Sequence, residues 1–213
     1  MRQRTMRLAT FAILAFLMIV PMGSTNAATL YYGSSNGDVW DLQFRLNTAG
    51  YFSEKLDGHY GHITADAVRR FQKDYGIPAD GIAGDRTWKA LKKVSVNRQE
   101  LDMLAKLIYG EARGESYVGQ VAVGAVVMNR IQSPDFPHTV AEVIFEPRAF
   151  TAIDDGQYWM TPDATAYKAA LDAVRGWDPS HGSLFYFNPD TATSAWIWSR
   201  PQKVTIGAHI FCL

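Results

Sequence analysis

The sequence predicts an α+β chain, mainly α: a small three-helix bundle, then a larger helical domain that closes in a small β-hairpin or sheet. Three observations carry this. The turn pattern D-G-x-x-G-x-x-T occurs twice, from Asp57 to Thr64 and again 23 residues on, from Asp80 to Thr87. Residues 101–130 hold two successive apolar stripes at the i, i+3, i+4, i+7 spacing of core-facing helices. Residues 184–187, 204–206 and 209–211 are β-prone, the last two flanking Gly207-Ala208 as the arms of a hairpin would.

The first 27 residues are set apart. Arg2, Arg4 and Arg7 precede the apolar run 8–20, and Thr25-Asn26-Ala27 supplies a small-residue ending. This is the layout of a secretory signal peptide cleaved after Ala27. The run is short for a membrane span, which takes about 20 residues. The mature protein is therefore expected outside the cytoplasm, in the periplasm or in the cell wall and medium, with no membrane span after cleavage. The chain of 213 residues has room for one large or two small domains, and its 47% apolar content is that of a folded protein. Lysines and arginines balance aspartates and glutamates, without the basic cluster that a nucleic-acid interface requires. Cys212, the only cysteine, has no partner for an internal disulfide and reads as a packed terminal residue or a free thiol.

Residues 34–94 form the first module. Val39, Leu42 and Leu46 mark one helix, ending at Gly50, and Val68, Phe71 and Tyr75 a second, ending at Gly76 ahead of Pro78. Trp88 and Leu91 mark a third. In each repeat Asp-Gly and the later Gly build a tight turn, and the Thr is expected to start the next helix. Residues 92–97 are a short connector that leaves little room for independent motion.

Residues 98–213 form the second domain. Leu104, Ala105, Ile108 and Ala112 share one face of its first helix, and Glu111 intrudes between Leu104 and Leu107. A carboxylate placed there is partly desolvated, which favours its protonated form, as a general acid near neutral pH requires. The alternative is a helix-terminal residue reaching solvent. Ser116 caps a second helix to about residue 132, whose stripe of Val118, Val121, Ala122, Ala125 and Val126 is interrupted by Asn129. A buried amide must find partners, so Asn129 braces a neighbouring backbone or a site. Thr139 caps a short helix. Residues 146–160, with Phe150, Asp154, Asp155, Tyr158 and Trp159, read as a loop, either a carbohydrate groove wall or an ordinary surface loop. Thr161-Pro162-Asp163 opens another helix with Pro in its first turn, closed by Gly176.

Several of these runs match known families. Tyr109-Gly110-Glu111-Ala112-Arg113-Gly114-Glu115, the segment from Gly119 to Val126, Asn129-Arg130, Phe185-Tyr186-Phe187-Asn188-Pro189 and Trp196-Ile197-Trp198-Ser199-Arg200-Pro201 resemble the SleB-type spore cortex-lytic enzymes. The repeated DG turns, with Phe71-Gln72 and Tyr75-Gly76, resemble the peptidoglycan-binding domain 1 family, a noncatalytic three-helix module. The resemblance implies a lysozyme-like second domain, peptidoglycan as partner and substrate, a monomer, and no cofactor or metal. It implies Glu111 as the single catalytic carboxylate; Asn129, Phe150, Tyr186, Trp196 and Trp198 are expected as substrate-binding residues. It links the chain to spore germination without fixing whether cortex or vegetative wall is cut.

Two glycosidase chemistries are open. A two-carboxylate hydrolase sets its acids about 5 Å apart if retaining, or about 6.5–9.5 Å if inverting. Glu115, Asp154 and Asp155 are the available second acids, though Glu115 is better read as an acidic partner of the next helix's first turn. A lytic transglycosylase needs one carboxylate, used as acid and then as base, and is preferred here. A zinc amidase or peptidase is disfavoured, because His138, His181 and His209 show no ligand spacing and read as structural or exposed. A noncatalytic wall-binding protein is the remaining class.

Overall fold

The computed structural model describes residues 28–213, so the signal-peptide expectation for residues 1–27 lies outside the described residues. The first module is three helices: α1 (Gly37–Thr48), α2 (His62–Asp74) and α3 (Asp85–Val94). They close on one core in which Val39, Leu42, Leu46, Val68, Phe71 and Leu91 are fully buried. So small a core needs help from its turns.

That help comes from two glutamines. Gln43 in α1 donates from Nε2 to Asp57 Oδ1 (2.8 Å), the His59 carbonyl (3.1 Å) and Thr64 Oγ1 (3.1 Å), while Gly58 N–H donates to its Oε1 (3.0 Å). Gln72 in α2 repeats the arrangement on Asp80 (2.9 Å), Ile82 (2.9 Å), Thr87 (3.0 Å) and Gly81 (2.9 Å). Gly58 and Gly81 have positive φ, 73° and 74°, which explains the glycine in each DG pair. The sequence expected the threonines to start these helices, but they are not the caps. Gly61 and Gly84 occupy the caps, and Thr64 and Thr87 sit inside the first turn, bonded to the glutamines.

The second domain comprises α4 (Arg98–Ala112), α5 (Tyr117–Gln132), α6 (Val140–Ile144), α7 (Thr151–Asp154), a 3-10 turn (Gln157–Trp159), α8 (Ala164–Val174), β1 (Phe185–Phe187), α9 (Ala195–Trp198), β2 (Gln202–Ile206) and β3 (His209–Cys212). Asn97 and Glu100 form a capping box at α4, Ser116 caps α5 and Thr139 caps α6. Helix α5 is buried on nearly every side, as the central helix of a core must be; Val118, placed inward by its stripe, is instead 39% exposed. A Cβ on Gly124 would lie 2.9 Å from Ile108 and 3.0 Å from Ala173, so α5 sits tightly against α4 and α8.

Two other expectations change. The segment 146–160 is not a plain loop: it folds into α7 and the 3-10 turn, because Ala152 and Tyr158 are drawn into the core. Helix α8 is capped by Asp163, whose side chain accepts from Ala166 N–H, so Pro162 lies before the helix. The hairpin is part of a three-stranded antiparallel sheet, order β1-β3-β2, with Cys212 buried in the central strand.

The modules are stapled through Arg45, which is 4% exposed. It bonds Asp41 within α1 (3.1 Å) and Glu100 at the start of α4 (3.0 Å), while Thr48 Oγ1 donates to the Val96 carbonyl (3.2 Å). Replacing Gln72 with Leu strands the Gly81 N–H and removes the bond that the buried Thr87 hydroxyl accepts, leaving it only the one it donates to the Ile82 carbonyl. Chemical denaturation should show a loss of about 3 kcal/mol, with Gln43→Leu behaving alike.

Candidate active site

Glu111 lies in the last turn of α4, half-buried, and its carboxylate meets two other elements. At the start of α7, Ala152 N–H donates to Oε1 (2.6 Å) and Thr151 Oγ1 reaches both oxygens (3.1 and 3.3 Å). From β1, the Tyr186 hydroxyl donates to Oε2 (2.9 Å). Glu111 is thus held by three polar donors.

Gly110 makes the α4–α7 approach close enough. A Cβ there would lie 2.7 Å from the Ala152 methyl and 3.3 Å from the backbone of Gln157. The glycine preceding the acid is needed for proximity, not for an unusual φ.

The carboxylate opens into a cleft of about 510 Å³, walled by Glu111, Arg130, Phe150, Thr151, Tyr186, His209, Asn188 and residues 191–194. Glu111 is the only carboxylate in that wall. A larger groove, about 580 Å³, runs between α3 and α5 and has no carboxylate in its wall. Burial and the neighbouring Glu111 push the Tyr186 hydroxyl well above its ordinary pKa, so it stays protonated. Arg130 is 5% exposed, and burial pulls its guanidinium below the usual value, against the opposing pull of Tyr186, Glu146 and Glu111.

Of the residues singled out in the sequence, Phe150 and Tyr186 stand in the cleft with Glu111. Asn129 does not. Its amide donates to Asp178 Oδ2 (3.0 Å) and the Ser183 carbonyl (3.1 Å), bracing the loop before β1. The helix turn that brings Arg130 to the cleft carries Asn129 away from it. Trp196 and Trp198 also stay out of the wall. They are 54% and 43% exposed on α9, packing against Phe185 and Phe187, and Trp198 Nε1 donates to the Ala192 carbonyl behind the rim (3.0 Å).

The other acids are elsewhere. Asp155 accepts from Gln157 N–H (3.0 Å), and neither it nor Asp154 lines the cleft. Glu115 precedes the cap of α5 and does not serve its first turn. It reaches the β2–β3 turn, where Oε2 accepts from Ala208 N–H (3.2 Å) and Oε1 is 3.6 Å from His209 Nδ1. Gly207, at φ 57°, leaves room, since a Cβ there would fall 1.8 Å from Oε2. His209, read from sequence as structural or exposed, stands in the cleft with its ring edge-on to Tyr186 (5.3 Å between centroids).

Sequence reasoning missed Thr151, Ala152, Arg130 and His209. The signal for Arg130 was present in the Asn129-Arg130 pair; a backbone donor such as Ala152 N–H leaves no mark in side-chain identity.

Two substitutions check this geometry. Gly110→Ala should keep the fold while displacing α7 and lowering wall cleavage about tenfold or more, as misplacement near a reacting group does. Asn129→Ala should cost about 1–2 kcal/mol in thermal or chemical unfolding and leave cleavage rates within about twofold.

Comparison with known proteins finds relatives of both modules. The family described as Putative peptidoglycan binding domain matches residues 35–91, and that described as Cell Wall Hydrolase matches 114–212, beginning just after Glu111. The spore cortex-lytic enzyme of Bacillus cereus is 44% identical over 84% of this chain and 84% of its own, and that of Bacillus subtilis 36% identical over 96% of each. The catalytic domain of the germination-specific lytic transglycosylase SleB from Bacillus anthracis is 60% identical, with a TM-score of 0.53, over 55% of this chain and 97% of that domain. A mainly helical chain with a peptidoglycan-binding bundle, a lysozyme-like second domain and one cleft carboxylate, it belongs to the spore cortex-lytic enzyme family.

Proposed function

We propose that this chain cuts the glycan strands of spore cortex peptidoglycan as a lytic transglycosylase, with Glu111 acting first as acid and then as base. The observation that carries this is the single carboxylate in the cleft wall, held from three directions. The names of its relatives, spore cortex-lytic enzyme and lytic transglycosylase, support the substrate and the reaction class.

The hydrogen bonds distinguish the two oxygens. A backbone N–H can only donate, so Ala152 keeps Oε1 an acceptor. Oε2 faces hydroxyls, which can turn to donate or accept, so Oε2 carries the mobile proton. It protonates the glycosidic oxygen as the C1–O4 bond breaks. The resulting cation-like C1 is then attacked by the muramic C6 hydroxyl, whose proton returns to Oε2 as the C1–O6 bond forms. The net result is a 1,6-anhydro ring, one proton moved from O6 to O4, and no water consumed. Tyr186 and Thr151 stabilise the carboxylate between the two transfers.

The remaining assignments follow the same reading. Phe150 and Tyr186 contact the sugar beside Glu111, residues 34–94 hold the enzyme on the wall, and 98–213 carry the chemistry. Residues 1–27 direct export, so the mature chain works outside the cytoplasm as a monomer, with no cofactor.

The test is release of soluble fragments from purified sacculi and cortex. Glu111→Gln should fold normally and cut about a thousandfold more slowly or worse. Tyr186→Phe should lose about tenfold in kcat, with little change in KM. Undiminished lysis by Glu111→Gln would overturn the assignment.

A further inference from the structure

Arg130 is placed unlike an ordinary buried cation. It projects from α5, the central helix of the domain, and is 5% exposed. Among the described residues no carboxylate lies within 4.0 Å of it, although Arg45, equally buried, has two. Its guanidinium is packed instead among three rings, with its carbon 4.9 Å from the centre of Phe150, 5.1 Å from Phe136 and 5.4 Å from Phe185. One protein acceptor is in reach: Nε donates to the Leu184 carbonyl at 2.8 Å.

A guanidinium has five N–H donors, and desolvating those without partners is costly. Among the described residues, however, no buried side-chain nitrogen or oxygen is left without a hydrogen-bond partner. The two terminal nitrogens of Arg130 are therefore not sealed in. Arg130 is part of the cleft wall. The aromatic packing fixes the plane of the fork, the Leu184 bond fixes its rotation, and Arg130 shares the cleft wall with Glu111. An arginine held this rigidly loses little freedom when it binds a planar oxygen group.

We propose that Arg130 is a substrate-binding residue whose terminal N–H groups receive an acyl oxygen of the amino-sugar next to the scissile bond. This rests on the reading of the cleft as a glycan site and names a recognition element within it. Amino-sugars of the wall offer two such groups, the N-acetyl carbonyl and the acyl oxygens of the 3-O-lactyl arm. Both are planar acceptors suited to a fork of donors. A hydroxyl-only sugar would leave the fork half-satisfied, so Arg130 would discriminate against unsubstituted glucan.

The test uses the full chain carrying Glu111→Gln, so that saccharides bind without being cut. Calorimetry compares Glu111→Gln with Glu111→Gln/Arg130→Lys, on a chitooligosaccharide bearing N-acetyl groups alone and on a muramyl-containing fragment. Arg130→Lys keeps charge and reach but loses the fork, and affinity should fall ten- to a hundredfold. A fall for both ligands assigns the N-acetyl oxygen; a fall for the muramyl fragment alone assigns the lactyl arm. Unchanged affinity for both ligands would overturn the proposal and leave Arg130 a packing strut, whatever happens to the melting temperature. Should the double variant not fold, the Arg130 guanidinium resonances of the single variant should shift and exchange more slowly when saccharide is added; no response refutes the proposal. Glu111→Gln that still cleaves the wall would refute the acid assignment alone, while failure of Glu111→Gln to bind either saccharide would remove the cleft as a glycan site and this proposal with it.

Discussion

The site depends on one short contact, the bond from Ala152 N–H to Glu111 Oε1. It exists because Gly110 presents no side chain where α7 crosses α4. A carboxyl group at the end of a helix has several rotamers open to it, and in water it would sample them. A backbone donor on a neighbouring helix selects one, at the entropic cost of a few side-chain torsions fixed during folding and not during the reaction. Oε1 takes the backbone donor, whereas Oε2 meets only the hydroxyls of Thr151 and Tyr186.

The other side of the carboxyl group is held by the sheet, so helix and sheet must be registered for the acid to be set. Tyr186 lies opposite Phe211 across the β1–β3 pairing, and its hydroxyl meets Oε2. The β2–β3 turn is tied back to the helical layer by Glu115, whose carboxylate fills the space left by Gly207. Two residues of the Y-G-E-A-R-G-E run thus have divided duties. Glu111 faces the cleft, and Glu115 secures the strand pair that carries its partner. Arg45 fulfils a related role at larger scale, linking the binding bundle to the first turn of α4, the helix that ends in the acid.

Much of the fold was legible because periodicity and caps are local. The starts of α5 and α6 follow from Ser116 and Thr139, and the repeated DG turns announced the bundle. What local pattern missed was set by tertiary contact. Residues 146–160 lack period but become helical because Ala152 and Tyr158 have a core to enter. Asn129 and Arg130 are adjacent, and their stripe could not say which would face the cleft, since α5 is buried nearly all round. Glu111 was conspicuous as a charge in an apolar arc, but the three donors around it come from residues 40, 41 and 75 positions away. His209 was passed over because a histidine in a two-residue hairpin carries no spacing signal until β1 is laid beside it.

The claim on which the chemistry turns is that one carboxyl group suffices and that the sugar's own hydroxyl, not water, closes the reaction. Digestion of cortex peptidoglycan in water enriched in heavy oxygen, followed by mass spectrometry of the newly formed ends, measures this directly. A single-carboxylate transglycosylase predicts anhydro ends that carry no label. Reducing ends carrying the label would contradict it, and would mean that water reaches the cleaved carbon beside Glu111.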